Sequence, residues 1–308
     1  MIRLRVMHRT AYTYVDPVEL GAHLLHLRPR IVPYQTLHAF AIDVGGATDP
    51  RLTHGHDHYG NPVSWLFLSG LHGALVVESR AEVDVAPRPV PDQTLAWERV
   101  AAVAMAASAS EFLFASPRVP RLAQARAWAA PSLPPGRPLL DGVLELVHRF
   151  KAEFKFDPAA TTVSTSVARV LEMRAGVCQD FAHVMIAGLR THGIPARYVS
   201  GYLRTVPPPG KPRLVGADQS HAWVGVWLGP DQGWIDVDPT NQIVVQDGHV
   251  VLGWGRDYSD VSPVRGVLLG GGEHTLKVSV DITPVEAGVD AAYMDGAAAW
   301  VGATGSRP

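Results

Sequence analysis

One cysteine, Cys178, stands at the head of the apolar run "CQDFAHVMIAGL", and His221 follows it in "SHAWVGVWL". Two carboxylates, Asp236 and Asp238, come next in "GWIDVDPTN". A thiol, an imidazole and a carboxylate are the parts of a nucleophilic triad, in which the base activates the thiol and the acid orients the base. A thiol at a helix start faces N–H groups with no intrahelical acceptor and the positive end of the dipole, and both favour thiolate. Asp180 opposes this with its own charge, but a paired imidazolium would be larger in effect and closer. Period two puts His221, Trp223 and Gly225 on one face of a strand, and Trp234, Asp236 and Asp238 on one face of the next. If the "GPDQG" turn joins the two strands as neighbours, a carboxylate lies beside the imidazole. Spacing alone leaves Asp236 and Asp238 open.

Each residue also has a plainer reading. A lone cysteine is often a small buried hydrophobe. His221 is one of fourteen histidines, and an Asp before Pro239 can simply end a strand. The order helix start, strand, strand is what argues for chemistry.

The elements that must hold these residues follow from periodicity. Residues 1 to about 87 read as strands: "RLRVMHRTAYTY", "LHAFAIDV", "VSWLFL" and "ALVVESRAEVDVA" alternate between Gly, Pro, Asn and Asp turns, with "HYGNP" as one connection. They suggest an antiparallel sandwich. The Pro-rich "APRPVPD" marks a boundary, after which Leu95–Ala115, Arg121–Ala129, Leu139–Phe154 and Val167–Met173 read as helices. The run from Cys178 keeps the helical period and ends at Gly193 and Pro195. "ARYVSGYL", "HAWVGVWL", "WIDVDP" and "LKVSVDITP" read as strands of a second antiparallel sheet, with Pro207–Lys211 as a surface loop. The expected organisation is α+β: an N-terminal β-sandwich-like domain over 1–90, a core over 91–285, and an irregular tail over 286–308.

Composition narrows the classes. A chain of 308 residues exceeds what one core usually fills. A net charge of −2 with no long Lys/Arg run argues against nucleic acid as a partner. The single cysteine excludes an internal disulfide and suits a reducing compartment. No stretch approaches the ~18 apolar residues of a membrane span, and the N-terminus reads as a strand rather than a signal peptide. A cytoplasmic protein with no membrane association is the expectation.

The segment "RAGVCQDFAHVMIAGLRTHGIPARYVSGYL" followed by "HAWVGVWL…GWIDVDPTN" resembles the bacterial transglutaminase-like family, within the transglutaminase-like superfamily of papain-like cysteine enzymes. The opening "MIRLRVMHRTAYTY", "HLRPR" and "DHYGN" are similar to the N-terminal β region of that family, and "FDPAATTVSTSVARVLEMRAGVCQDFAH" to its core. The resemblance implies a transglutaminase-like core with Cys178, His221 and Asp238 as catalytic triad, which selects Asp238 over Asp236. It implies attack on an amide or ester carbonyl, a thioester acyl-enzyme, and resolution by water or by an amine. The Cys178 N–H becomes the natural oxyanion donor, with Gln179 and Trp223 positioning substrate and Trp223 and Trp234 as candidate cleft walls. One departure stands out: Phe156 replaces the tyrosine expected in "F-x-Y-D-P", so any role for that hydroxyl is absent.

Other features carry less. His54, His56 and His58 share a face if extended but lack a fourth ligand, so no metal is expected. "HLLHLRPR" places His23 and His26 on a solvated, partly packed surface. "GVLLGGGEH" lacks the order of a phosphate loop and reads as a turn before the last strand. The expected function is a cofactor-free cysteine amide or peptide hydrolase. Protein-glutamine acyl transfer to an amine is the first alternative, and a non-catalytic peptide-binding scaffold the second.

Overall fold

The computed structural model describes residues 1–205 and 219–285; the loop expected at Pro207–Lys211 and the tail expected over 286–308 lie outside them. The first four strands are β1 (Ile2–Leu25), β2 (Gln35–Gly45), β3 (Arg51–His56) and β4 (Pro62–Val85). "VSWLFL" and "ALVVESRAEVDVA" are thus one strand, because the Ser69–Gly73 stretch between them stays extended. β1 is equally long and carries its alternation through: Leu4, Val6, His8 and Thr10 all point inward. The "HYGNP" turn forms as read, with Asp57 Oδ1 accepting from the N–H of Tyr59 (2.9 Å) and Asn61 (2.8 Å).

The helices are α1 (Trp97–Ala104), α2 (Ala123–Ala129), α3 (Leu139–Glu153), α4 (Val167–Met173) and α5 (Cys178–Thr191). The expected Leu95–Ala115 helix stops at Ala104 and gives way to a short 3-10 turn over Ser110–Leu113. "AASAS" offers no bulky apolar face to hold a helix against the core, and Ser competes for backbone hydrogen bonds. A short parallel pair, β5 (Lys155–Phe156) with β6 (Ala175–Gly176), brackets α4. The remaining strands are β7 (Ala196–Leu203), β8 (Gln219–Trp227), β9 (Trp234–Asp238), β10 (Ile243–Val244), β11 (His249–Gly255), β12 (Val264–Gly270) and β13 (His274–Pro284).

The core sheet is antiparallel in the order β10-β9-β8-β7-β11. α5 packs on its inner face through Phe181, Val184, Met185 and Leu189, against Tyr198, Ala222, Val224, Val226 and Val237. The other sheet runs β12-β1-β4-β2, with β13 also on β1 and β3 on β4. "LKVSVDITP" was expected in the core sheet; it pairs instead along β1, from Leu4↔Pro284 to Tyr14↔His274. Alternation states that a segment is a strand but not which edge it joins, and here β1 offered a long free edge. Residues 86–263 are therefore inserted between strands of a single sheet. β1 shifts register between Thr13 and Val18, and the two halves of the sheet close on Tyr14, Val18, Leu25, Leu66, Leu68, Leu75 and Val77, which gives the sandwich-like packing. The half built on Leu4, Val6, Val83, Val280 and Ile282 packs on Tyr202, Val250 and Leu252 of the core. Among the described residues no helix is long and apolar enough to cross a membrane.

Candidate active site

Cys178 is the first residue of α5 and is partly exposed. The chain reaches it through a sharp turn: Arg174 ends α4 in the left-handed region (φ 54°), and β6 leads into Val177. Asp180 folds back to accept from the Val177 N–H (2.9 Å) and the Thr161 hydroxyl (2.6 Å). Gly176 permits this, since a Cβ there would lie 2.7 Å from Asp180 Oδ2. Burial pushes the Asp180 carboxyl up, against those two hydrogen bonds. The carboxylate that seemed to oppose a thiolate is thus a capping group turned away onto N–H and O–H donors.

His221 lies on β8 opposite Gly201 of β7, and its imidazole bonds Asp238 and shares one cavity with Cys178. Nε2 meets Asp238 Oδ2 at 2.8 Å, which leaves Nδ1 for the sulfur. Burial alone would push the imidazole down. The hydrogen bonds and charges of Asp238 and Cys178 outweigh it and hold His221 up at about 10. Asp238 is fully buried, yet it is held well below the carboxylate range: burial raises it, and His221 and His249 more than compensate. Its Oδ2 also accepts from His249 Nε2 (3.1 Å) and Asn241 Nδ2 (2.7 Å), while Oδ1 takes the N–H of Thr240 (2.9 Å) and Asn241 (3.2 Å).

Asp236, the alternative left open by spacing, serves other partners. It accepts from Arg88 Nη1 (2.5 Å) and Trp223 Nε1 (3.3 Å) and faces Arg197 Nη2 at 3.6 Å. Gln179 lines the cavity beside Cys178 and reaches Val163 O through Nε2 (3.3 Å). Trp223 does not line it. Its side chain is fully buried behind His221, packed with Val199, Val245 and Val251 and edge-on to His249. Trp234 likewise sits away from the cavity, against Phe112 and under Arg197. The wall role expected for both tryptophans is corrected: bulky rings on this face fill the space behind the sheet. Phe156 is half exposed on β5, paired with Gly176 two residues before the sulfur.

The cavity at Cys178 and His221 encloses about 330 Å³. Tyr198 and Tyr258 border it on the core side. Burial first, then the nearby Cys178 and acidic charges, push the Tyr198 phenol well up, so it remains an O–H donor. His8, Thr10 and Tyr12 of β1 and Leu276 and Val278 of β13 complete the wall. Sequence reasoning missed these residues, as it missed His249 and Asn241. "DPTN" held the only local signal, since an Asn three residues after the Asp can reach back to its carboxylate.

The histidines weighed for metal are dispersed. His54, His56 and His58 are exposed, with His54 bonded to Ser64 Oγ (2.8 Å) and His58 to Glu111 (3.0 Å). His23 and His26 are buried rather than solvated, because β1 runs through His23 and His26 directly follows its end; His26 bonds Ser262 O (3.1 Å) and faces Asp57 (3.4 Å). The three groups that do converge among the described residues, His221, Asp238 and His249, are already bonded to one another. A cation there would have to displace the His221–Asp238 hydrogen bond.

Comparison with known proteins agrees with this architecture. The bacterial transglutaminase-like N-terminal region matches residues 4–84, and the transglutaminase-like superfamily core matches residues 126–239. An uncharacterized protein of Mycobacterium tuberculosis is 39% identical over 294 residues, covering 92% of this chain and 93% of the relative. A protein-glutamine gamma-glutamyltransferase of Pseudomonas aeruginosa is 39% identical over 105 residues, 33% of this chain and 16% of that protein. A crystal structure from Cytophaga hutchinsonii, described as a candidate cysteine protease, superposes with a TM-score of 0.73 at 19% identity, covering 94% of this chain and 92% of that one. A core region and an N-terminal β region that each match in their own right make this chain a member of the bacterial transglutaminase-like family.

Proposed function

We propose that the protein is a cysteine-dependent amide or peptide hydrolase working through Cys178, His221 and Asp238. The observation that carries the proposal is one imidazole bonded to a buried, firmly ionised carboxylate and set beside the sulfur in a single cavity. In this reading the Cys178 sulfur attacks the acyl carbon and the carbonyl oxygen takes up charge. The Cys178 N–H at the start of α5 stabilises that charge, with Gln179 positioning the substrate. His221, charged at neutral pH, gives its proton to the leaving amine as the C–N bond breaks. The thioester that remains is attacked by water, which His221 deprotonates. Asp238 holds the ring in place and stabilises its charge.

Acyl transfer to an amine is the second reading, favoured by the similarity to the Pseudomonas aeruginosa glutamyltransferase. The two share every step up to the thioester. Intact-protein mass spectrometry after exposure to a peptide-amide library tests the shared steps: an acyl adduct is expected on Cys178 and none on the Cys178→Ala variant. Product release by Cys178→Ala would end both readings. Adding a primary amine then separates them, since hydrolysis gives free acid and transfer gives the amide of the added amine.

A further inference from the structure

A buried hydrogen-bonded chain crosses from the N-terminal sheet into the core and ends in the cavity. Tyr202 Oη of β7 lies 2.9 Å from His8 Nδ1 of β1, and His8 Nε2 lies 2.7 Å from Thr10 Oγ1. All three side chains are more than nine-tenths buried, and His8 and Thr10 line the cavity that holds Cys178. Burial pushes the His8 imidazole down to about 4, so at neutral pH the ring carries one proton, and the chain has a direction.

That direction follows from acidity. A phenol is a stronger donor than an aliphatic hydroxyl, and an imidazole nitrogen is a stronger acceptor than a phenol oxygen. Tyr202 therefore donates to His8 Nδ1, the ring proton sits on Nε2, and Nε2–H donates to Thr10 Oγ1. The reverse order would spend the Thr10 proton on His8 and ask the Tyr202 oxygen to accept from the ring. In the favoured order Thr10 keeps its own proton for whatever fills the cavity. A buried donor left unmet is costly, so an occupant that supplies an acceptor is selected.

We propose that Thr10 is a specificity-determining hydrogen-bond donor supplied by the N-terminal sheet, and that the cavity receives an uncharged acyl segment bearing a carbonyl oxygen. Among the described residues no Asp, Glu, Lys or Arg lines the cavity, and Leu276, Val278 and Tyr12 surround the donor with apolar surface. A formal charge beside Thr10 would be desolvated by that apolar surface, while a carbonyl would meet a directed O–H. The proposal rests on the reading of Cys178 as nucleophile.

Two p-nitrophenyl esters test it with the full chain: the pentanoate, and the 4-oxopentanoate, which adds one carbonyl oxygen. In each, the sulfur forms a C–S bond to the acyl carbon while the C–O bond breaks and nitrophenolate leaves. Its burst gives the acylation rate, normalised to the ester's reaction with hydroxide, and the mass of the protein confirms the adduct. The wild type should favour the 4-oxopentanoate about tenfold. Thr10→Val should bring the ratio to within about twofold of one, and Thr10→Ser should keep it. Tyr202→Phe removes the hydroxyl that orients His8 without reaching the cavity, and should lower the ratio even where Thr10→Val fails to fold. A wild-type ratio near one, or a ratio unchanged in Thr10→Val or in Tyr202→Phe, overturns the assignment of Thr10 while leaving the nucleophile in place. Failure of both esters to acylate Cys178 overturns the nucleophile and the subsite together.

Discussion

His221 is the residue on which the proposed chemistry turns, and its environment sets a pH window. Burial works against the imidazolium, but Asp238 and Cys178 together hold it charged up to about 10. A group raised in this way carries its proton below that value and loses it as pH climbs through it. The acylation rate of a peptide amide should therefore persist from neutral pH to about 9 and fall through about 10; an alkaline limb centred near 7 would contradict the coupled imidazole. The same residue illustrates what the sequence could and could not reveal. Cys178, His221 and the pair Asp236 and Asp238 were legible as candidates because each sits in a short segment whose own period sets its direction. Choosing Asp238 over Asp236 was beyond spacing, since both share a face of β9. What separates them is distant partners: Arg88 and Arg197 take Asp236, and His221, His249 and Asn241 take Asp238.

At the scale of elements, the site depends on backbones that approach closely. Gly201 of β7 is the register partner of His221, and a Cβ on it would lie 2.1 Å from Val250 O and 2.4 Å from Trp223 Cη2. Neither neighbour yields easily: one is backbone and the other a fully buried ring. Gly201→Ala should therefore cost roughly 1–3 kcal/mol in urea unfolding, and acylation should fall because Trp223 packs edge-on to His249, which holds Asp238. An unaltered unfolding midpoint and rate would show that β7 and β11 absorb the methyl group. Helices α2 to α5 were readable to within two residues because apolar spacing and flanking Gly or Pro are local signals. Pairing was not. The alternation of "LKVSVDITP" fits either sheet, and only the assembled edge of β1 decides where it goes.

For the molecule as a whole, the N-terminal strands form a wall of the site rather than an appendage. They supply His8, Thr10 and Tyr12 to the cavity, and β13 returns to the same sheet with Leu276 and Val278. A fragment of residues 91–285 would keep β12 and β13 but lose β1, their partner, and would bare Tyr202, Val250 and Leu252. Such a fragment should express as aggregate, and a soluble fragment that still acylates Cys178 would refute the wall. These contacts could not be read in advance, because His8, Thr10 and Tyr12 show only that one face of a strand is shared, not that Cys178 faces it.

Threading residues 86–263 between strands of one sheet also fixes how the molecule would bear load. Leu4 and Pro284 are register partners, and the Val285 N–H reaches Arg3 O at 2.9 Å, so both ends of the described chain leave from the same rim. Tension applied there would part β1 from β13 one rung at a time, like a zip. The helix that carries Cys178 would feel no pull until that seam had opened.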